Sequence, residues 1–151
     1  MAINKVETFR LRILDDKVVL FDEINAGSTL AREDGTFGFS FMKFSKDFKV
    51  FNKEMQRKKE AIKNSTGLRL KGEALRQDVI HYSSFPCGKF TALTHPRNFN
   101  IRDSIPKILF GKAFLKDEKC LLPISVEAHH SLVDGLHVAK FLEYFQALMN
   151  E

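Results

Sequence analysis

The sequence is poor in cysteine and has no long apolar run, and these two absences exclude several classes of protein. Its only cysteines, Cys87 and Cys120, are too few for the disulfide framework of a small secreted domain or for a CxxC metal knuckle. No apolar stretch approaches the ~20 residues that a transmembrane helix requires. The opening segment carries the acidic Glu7 and lacks the apolar core of a secretory leader. We therefore expect a soluble protein of the reducing cytoplasm, with no membrane partner.

The chain is basic, with a net charge of +5 at pH 7, and most of the excess lies between Lys43 and Lys71. This stretch is typical of an amphipathic helix, so a solvated charged face is the simplest interpretation of its lysines. A surface that attracts a phosphate-bearing cofactor is a second interpretation. Nucleic-acid binding is the weakest, because no RNA- or DNA-binding motif accompanies the charge, and we expect no nucleic-acid partner.

Hydrophobic periodicity and turn residues predict more strands than helices. Extended segments are predicted at 9–14, 17–21, 26–32, 37–41, 79–85, 90–94, 105–115 and 119–129. Helices are predicted from Asp47 to about Asn64 and from about Gly135 to Asn150, with the end of another at 2–8. We therefore expect one α+β domain over residues 1–151, in which helices pack on one face of a mixed sheet.

The strongest local pattern is the junction between the last predicted strand and the last predicted helix, which contains His129, His130, Asp134 and Gly135. A histidine can take a proton from a hydroxyl at neutral pH without a large pKa shift. Each residue also has a structural interpretation, since an aspartate caps helices and a glycine permits a tight turn. A metal site is not expected, because no carboxylate or cysteine lies at a fitting local spacing.

Together these residues resemble the His-His-x-x-x-Asp-Gly signature of the CoA-dependent acyltransferase superfamily. The flanking sequence is similar to that of chloramphenicol acetyltransferases, through Phe110-Gly111-Lys112, Leu121-Leu122-Pro123-Ile124-Ser125-Val126 and Leu136-His137-Val138. Weaker similarity extends back to Phe9-Arg10-Leu11-Arg12. The resemblance implies a two-layer α/β sandwich that begins where the family domain completes its second helix, so that the domain is shortened at its N-terminus.

The resemblance also implies an activity and its residues. His130 is the expected general base, which deprotonates a hydroxyl of a small acceptor such as chloramphenicol for direct attack on the thioester of acetyl-CoA. Asp134 is expected to hold the site through an ion pair with an arginine, and His129 to support the turn. Gly111 and Lys112 are the expected contacts to acetyl-CoA. The family forms homotrimers with each active site at a subunit interface, and we expect the same here.

The chain differs from the family pattern at several positions. The family serine that stabilises the oxyanion is replaced by Ala92, which leaves Thr91 as a candidate donor. The family has a threonine two positions before the Gly-Lys pair and a tyrosine directly after it, where this chain has Leu109 and Ala113. These differences keep open an alternative, an inactive relative that retains the fold and CoA or subunit binding.

A further difference concerns the partner of Asp134. The family arginine that pairs with this aspartate lies in the N-terminal part of the domain that has no counterpart in this sequence. Arg97 and Arg102 are the candidate substitutes.

Overall fold

The computed structural model describes residues 1–69, 72–95 and 103–151. The strands in these ranges are β1 (Leu11–Leu14), β2 (Lys17–Leu20), β3 (Asn25–Ala31), β4 (Phe37–Met42), β5 (Val79–Phe85), β6 (Lys107–Gly111), β7 (Phe114–Lys116), β8 (Lys119–Leu121) and β9 (Ile124–Glu127). The α-helices are α1 (Phe48–Lys63) and α2 (Gly135–Met149), and short 3₁₀ helices lie at Ala2–Lys5, Glu7–Arg10 and Gly72–Leu75. No helix in the described ranges is long and apolar enough to span a membrane.

The central sheet has the strand order β4-β3-β5-β6-β9. Strand β5 pairs in parallel with both β3 and β6, whereas the outer strands β4 and β9 are antiparallel to their neighbours. The strands β1 and β2 form a separate hairpin, as do β7 and β8. The sheet is therefore mixed, as the sequence predicted.

Both helices pack on the same face of this sheet. Tyr82 of β5 and Phe110 of β6 stack with ring centroids 6.3 Å apart, and Phe110 in turn lies 5.9 Å from Phe145 of α2. On their other side the same two strand residues line a cleft with Phe51 and Met55 of α1. The prediction of helices on one side of a mixed sheet is thus confirmed, and the fold is α+β.

The side-chain alternation of β4 leaves an aromatic row on the opposite face. The buried residues of β4 face α1, and they are Gly38, Ser40 and Met42. Ile62 of α1 packs against Gly38. The 3₁₀ helix Gly72–Leu75 contacts β4, and because successive side chains of a strand point to opposite faces, the other face of β4 carries its three phenylalanines. These are Phe37, Phe39 and Phe41.

The two hairpins follow their turn residues. Asp15 and Asp16 have φ of 47° and 59°, and Asp117 and Glu118 have φ of 47° and 63°. Two successive positive φ values are the geometry of a type I′ turn, whose twist matches that of the flanking strands. Both turns lie in gaps between extended segments that the sequence predicts, at 15–16 and 116–118.

Other element predictions were wrong. The predicted strand 119–129 is divided into β8 and β9 by Leu122 and Pro123, because proline has no N–H to donate to a ladder. The predicted strand 105–115 is likewise divided into β6 and β7, and Lys112 between them donates its N–H to the carbonyl of Gly88 instead. Residues 90–94 form no strand, and the carbonyl of Leu93 accepts a hydrogen bond from Ser125 Oγ.

The helix starts also needed correction. The chain begins with two 3₁₀ helices instead of the end of an α-helix. Asp47 is the N-cap of α1, where its carboxylate accepts from the N–H groups of Lys49 and Val50. Phe48 is apolar yet 74% exposed, because it occupies the first turn of α1.

Arg12 joins the first hairpin to the start of β5 from a fully buried position. Its guanidinium donates to four backbone carbonyls, those of Phe9, Leu11, Gln77 and Val79. Burial lowers the pKa of Arg12 to about 10, against partial compensation from Asp103 and Asp78. The guanidinium therefore satisfies carbonyls that would otherwise be buried without donors.

Candidate active site

The two adjacent histidines lie just beyond the end of β9, in the turn that leads to α2. The carbonyl of His129 accepts from the N–H groups of Leu132 and Val133 at 2.9 and 3.0 Å. Its Nδ1 accepts from the N–H of Ser131 at 3.3 Å. These bonds tie His129 to the turn, while His130 is exposed to solvent. Leu132 and Val133 are 8% and 5% exposed, so the turn is anchored in the core.

Asp134 is the N-cap of α2. Its Oδ1 accepts from the N–H groups of Leu136 and His137 at 3.0 and 3.3 Å. The His137 ring completes the cap, with Nδ1 3.2 Å from the Asp134 nitrogen and 2.8 Å from Asp134 Oδ1. These backbone N–H groups, followed by the charges of His137 and His130, lower the pKa of Asp134. The described charged partner of Asp134 is thus His137, and Arg97 and Arg102 lie outside the described residues.

A cavity of about 400 Å³ opens on the face of the sheet away from the helices. We call it the sheet cavity. Its aromatic side is the phenylalanine row of β4, and its polar side carries His81, Ser83, His95, Asp103 and Lys107. Lys107 Nζ lies 3.1 Å from Asp103 Oδ2, so these two charges neutralise each other. The sheet cavity therefore offers apolar contact area with a few polar groups, as small-molecule sites do.

Gly27 lets the ring of His81 lie against β3. A Cβ at position 27 would stand 3.0 Å from His81 Cδ2, which is closer than two carbon atoms normally approach. Burial lowers the pKa of His81, outweighing the opposing influence of Asp103. His81 is therefore a neutral ring in the wall of the sheet cavity at neutral pH.

A larger space of about 1210 Å³ lies between the β7–β8 hairpin and α2. We call it the hairpin groove. Thr91, Ala92 and Ala113 line it, together with apolar residues of β8 and α2. Gly111 adjoins it, where a Cβ would stand 2.8 Å from Phe90 Cε1, so glycine permits the Phe90 ring to form the wall. Lys112 is exposed beside the groove.

Residues 89–95 separate the two spaces. Thr91 and Ala92 face the hairpin groove, and His95 faces the sheet cavity. Of the residues with predicted roles, Thr91 lines the hairpin groove, and Gly111 lies against the groove residues Phe90 and Pro123. His130 lines neither space within the described part of a single chain.

His95, Ser83 and Glu127 carry no sequence pattern that predicts a functional role. Ser83 Oγ lies 3.0 Å from His95 Nε2, and His95 Nδ1 lies 3.2 Å from Glu127 Oε2. These residues belong to three distant segments and form no local motif. Only the strand pairing of β5, β6 and β9 reveals that they are neighbours.

Comparisons with known proteins agree with this architecture. The family model of chloramphenicol acetyltransferase matches residues 1–146. The chain is 26% identical to the chloramphenicol acetyltransferase of Clostridium perfringens, over 99% of the chain and 73% of that protein. It is 28% identical to chloramphenicol acetyltransferase 3 of Escherichia coli, over 99% of the chain and 70% of that protein.

Solved structures give the same result. A chloramphenicol acetyltransferase structure superimposes with a TM-score of 0.85 at 28% identity, covering 95% of this chain and 70% of the other. The dihydrolipoamide acetyltransferase of Azotobacter vinelandii shares the fold, with a TM-score of 0.66 at 15% identity over 97% of this chain and 62% of the other. The chain therefore belongs to the chloramphenicol acetyltransferase family of CoA-dependent acetyltransferases.

Proposed function

We propose that the protein transfers the acetyl group of acetyl-CoA to a hydroxyl of a small acceptor such as chloramphenicol, with His130 as the general base. The observation that carries this proposal is the construction of the turn around His130. Core residues and the α2 cap hold the backbone on both sides of it, while the ring itself is exposed. A base fixed in this way can meet a substrate without first reorganising its own backbone.

The sheet cavity is the proposed acceptor site. Its volume of about 400 Å³ lies in the range typical of small-molecule pockets. The phenylalanine row offers flat apolar surface to an aromatic ring, whereas the polar side offers hydrogen-bonding groups. An acceptor with an aromatic body and a hydroxylated chain matches both sides.

The hairpin groove is the proposed site of acetyl-CoA, which supplies the acetyl group as an activated thioester. Its apolar walls suit a pantetheine arm. The amines of Lys89, which lies 4.1 Å above the Phe114 ring, and of Lys112 supply cations for phosphate groups. Gly111 has no side chain, which leaves room for the Phe90 ring in the wall of the groove. Thr91 lines the same groove, and we propose that it donates a hydrogen bond to the oxyanion of the tetrahedral intermediate.

His130 would take the proton of the acceptor hydroxyl as the oxygen bonds to the thioester carbon, and later return a proton to the departing thiolate. Asp134 remains ionised, since its pKa is lowered, and holds the start of α2 together with His137. His129 shapes the turn through its backbone bonds. No metal ion takes part in this scheme.

The position of His130 outside the sheet cavity of its own chain supports a shared site. We propose a homotrimer of single-domain subunits, each built from residues 1–151, in which His130 of one subunit meets the sheet cavity of the next. The face of the sheet that carries the sheet cavity is the surface that this contact would use.

A second candidate is a relative that binds CoA or partner subunits without turnover. Ala92 favours it, because the side chain has no hydroxyl to donate to an oxyanion. The loss of one such donor typically lowers kcat by about 10²–10³.

An activity assay separates the two candidates. Purified protein is mixed with acetyl-CoA and a panel of hydroxylated acceptors that includes chloramphenicol, and release of the CoA thiol is followed. Turnover that disappears in His130→Ala but persists in Ser131→Ala, an exposed neighbour in the same turn, supports the enzyme. Equal background rates for all three proteins support the inactive relative. Light scattering tests the trimer, and a monomeric mass contradicts the shared site.

A further inference from the structure

Ser83, His95 and Glu127 form a chain of hydrogen bonds at the polar side of the sheet cavity. Ser83 Oγ lies 3.0 Å from His95 Nε2, and His95 Nδ1 lies 3.2 Å from Glu127 Oε2. The backbone N–H of His95 donates to the same carboxylate oxygen at 3.1 Å. The side chains of His95 and Glu127 are only 15% and 16% exposed. Hydrogen bonds to both the ring and the backbone N–H of His95 therefore fix its position.

The sheet fixes the spacing of this chain. Ser83 belongs to β5 and Glu127 to β9, and β6 runs between them. In register, Ser83 is opposite Leu109, and Lys107 is opposite Glu127. His95 connects β5 to β9 across β6. Because both ends of the bridge are sheet residues, the geometry does not depend on a loop alone.

The partners of His95 select one tautomer of its neutral ring. A carboxylate at neutral pH has no proton to donate, so Nδ1 carries the ring proton and donates it to Glu127. Nε2 is then an acceptor, and the Ser83 hydroxyl donates to it. A hydroxyl, a base within hydrogen-bonding distance and a third group that orients the base are the parts of an activated nucleophile.

This site faces a space that can hold a substrate. Ser83 and His95 both line the sheet cavity, opposite the phenylalanine row of β4. The aromatic side fits the ring of an aryl ester and excludes water from it. An ester carbonyl of such a molecule would lie toward the polar side, where the hydroxyl is.

We propose that Ser83 is a nucleophile and that the sheet cavity hydrolyses small aryl esters, an activity that needs neither acetyl-CoA nor His130. As Ser83 Oγ bonds to the ester carbonyl carbon, His95 Nε2 takes the hydroxyl proton. The bond between that carbon and the phenol oxygen breaks, and His95 returns the proton to the leaving phenolate. Water then attacks the acyl-serine with His95 again taking a proton, which releases the carboxylic acid and restores Ser83.

The test uses the unmodified protein without acetyl-CoA. The protein is treated with p-nitrophenyl acetate and, separately, with a fluorophosphonate probe, and the modified peptide is located by mass spectrometry. The expected result is an initial burst of nitrophenol and covalent modification of Ser83 by both reagents. Folded protein that carries no modification on Ser83 overturns the proposal.

Variants test the roles of the individual residues. Ser83→Ala should lose the modification, and His95→Gln should lower its rate by about 10²-fold or more. Ser84→Ala, which removes an exposed serine one position along the strand, is the matched control and should react like the parent. Equal labelling rates in His95→Gln and the parent would show that the bonds of His95 serve only to hold residues 89–95 on the sheet, and would refute the proposal. If the protein releases no CoA thiol in the acetyl-transfer assay while Ser83 is still labelled, the proposed acetyltransferase activity is refuted and the proposed esterase site is not.

Discussion

The carboxylate of Asp134 and the imidazole of His137 close the N-terminus of α2 together, with Oδ1 and Nδ1 2.8 Å apart. The same Nδ1 lies 3.2 Å from the Asp134 N–H. The aspartate and histidine of this motif thus act as a helix cap next to the proposed base.

Substitutions at Asp134 separate its capping role from its charge. Asn caps helices about as well as Asp, whereas Ala does not. We expect Asp134→Ala to lower the thermal midpoint by about 2–4 °C and Asp134→Asn to leave it nearly unchanged. Calorimetry of both variants measures this. If the charge also supports catalysis, Asp134→Asn loses acetyl transfer without losing stability. Equal midpoints for Asp134→Ala and the parent would contradict the capping role.

Replacement of Arg12 should be among the most damaging single changes. Arg12→Leu removes the donors of four carbonyls in the interior, and we expect a loss of about 3–5 kcal/mol in the free energy of unfolding. Urea denaturation measures it. Arg57→Ala, at a side chain that is 66% exposed, is the control and should change stability little. Similar midpoints for the two variants would contradict the structural role of Arg12.

Gly27 should tolerate no side chain while His81 is present. The Cβ of Gly27→Ala would stand 3.0 Å from His81 Cδ2, and we expect a loss of about 1–3 kcal/mol from overpacking. Truncating the ring in the double variant Gly27→Ala/His81→Ala should make the effect of the added methyl group smaller. A double-mutant cycle by urea denaturation measures this coupling, and strict additivity would exclude the contact.

The lowered pKa of His81 predicts how stability depends on pH. Below about pH 6.5 the unfolded chain protonates this ring, while the folded chain, where burial opposes the charge, does not. The free energy of unfolding should therefore decrease as pH falls through that value and be unaffected by His81 above it. We expect a smaller decrease in His81→Gln between about pH 7.5 and pH 5.5. Because the remaining histidines are common to both proteins, identical decreases would contradict the buried state of this ring.

Much of the fold follows from local sequence. The type I′ turns at Asp15-Asp16 and Asp117-Glu118 are short polar segments between apolar strands, which the sequence shows directly. The N-cap and the apolar face of α2 are likewise visible in its own sequence. The predicted strand 119–129 failed at Pro123, because periodicity alone does not show where a ladder loses its donors. The exposure of Phe48 also depends on where α1 meets the sheet, which no local pattern encodes.

The candidate site was only partly accessible from sequence. The motif around His130 is contiguous, so its residues could be recognised together. The role of Arg12 is not evident from its own segment, because two of its four acceptors, the carbonyls of Gln77 and Val79, lie 65 and 67 residues further along the chain. The bridge from Ser83 through His95 to Glu127 requires the order of three strands, which is a property of the folded sheet.

The role of His130 as general base is tested most directly by the kcat of His130→Gln for acetyl transfer, measured at saturating acetyl-CoA beside Ser131→Ala. Glutamine keeps a polar side chain of similar size but cannot take a proton at neutral pH. We expect kcat to fall by about 10²–10⁴ in His130→Gln, with the KM for acceptor and the thermal midpoint nearly unchanged and Ser131→Ala close to the parent. A kcat for His130→Gln within about two-fold of the parent, well below the contribution of a general base, would contradict the account.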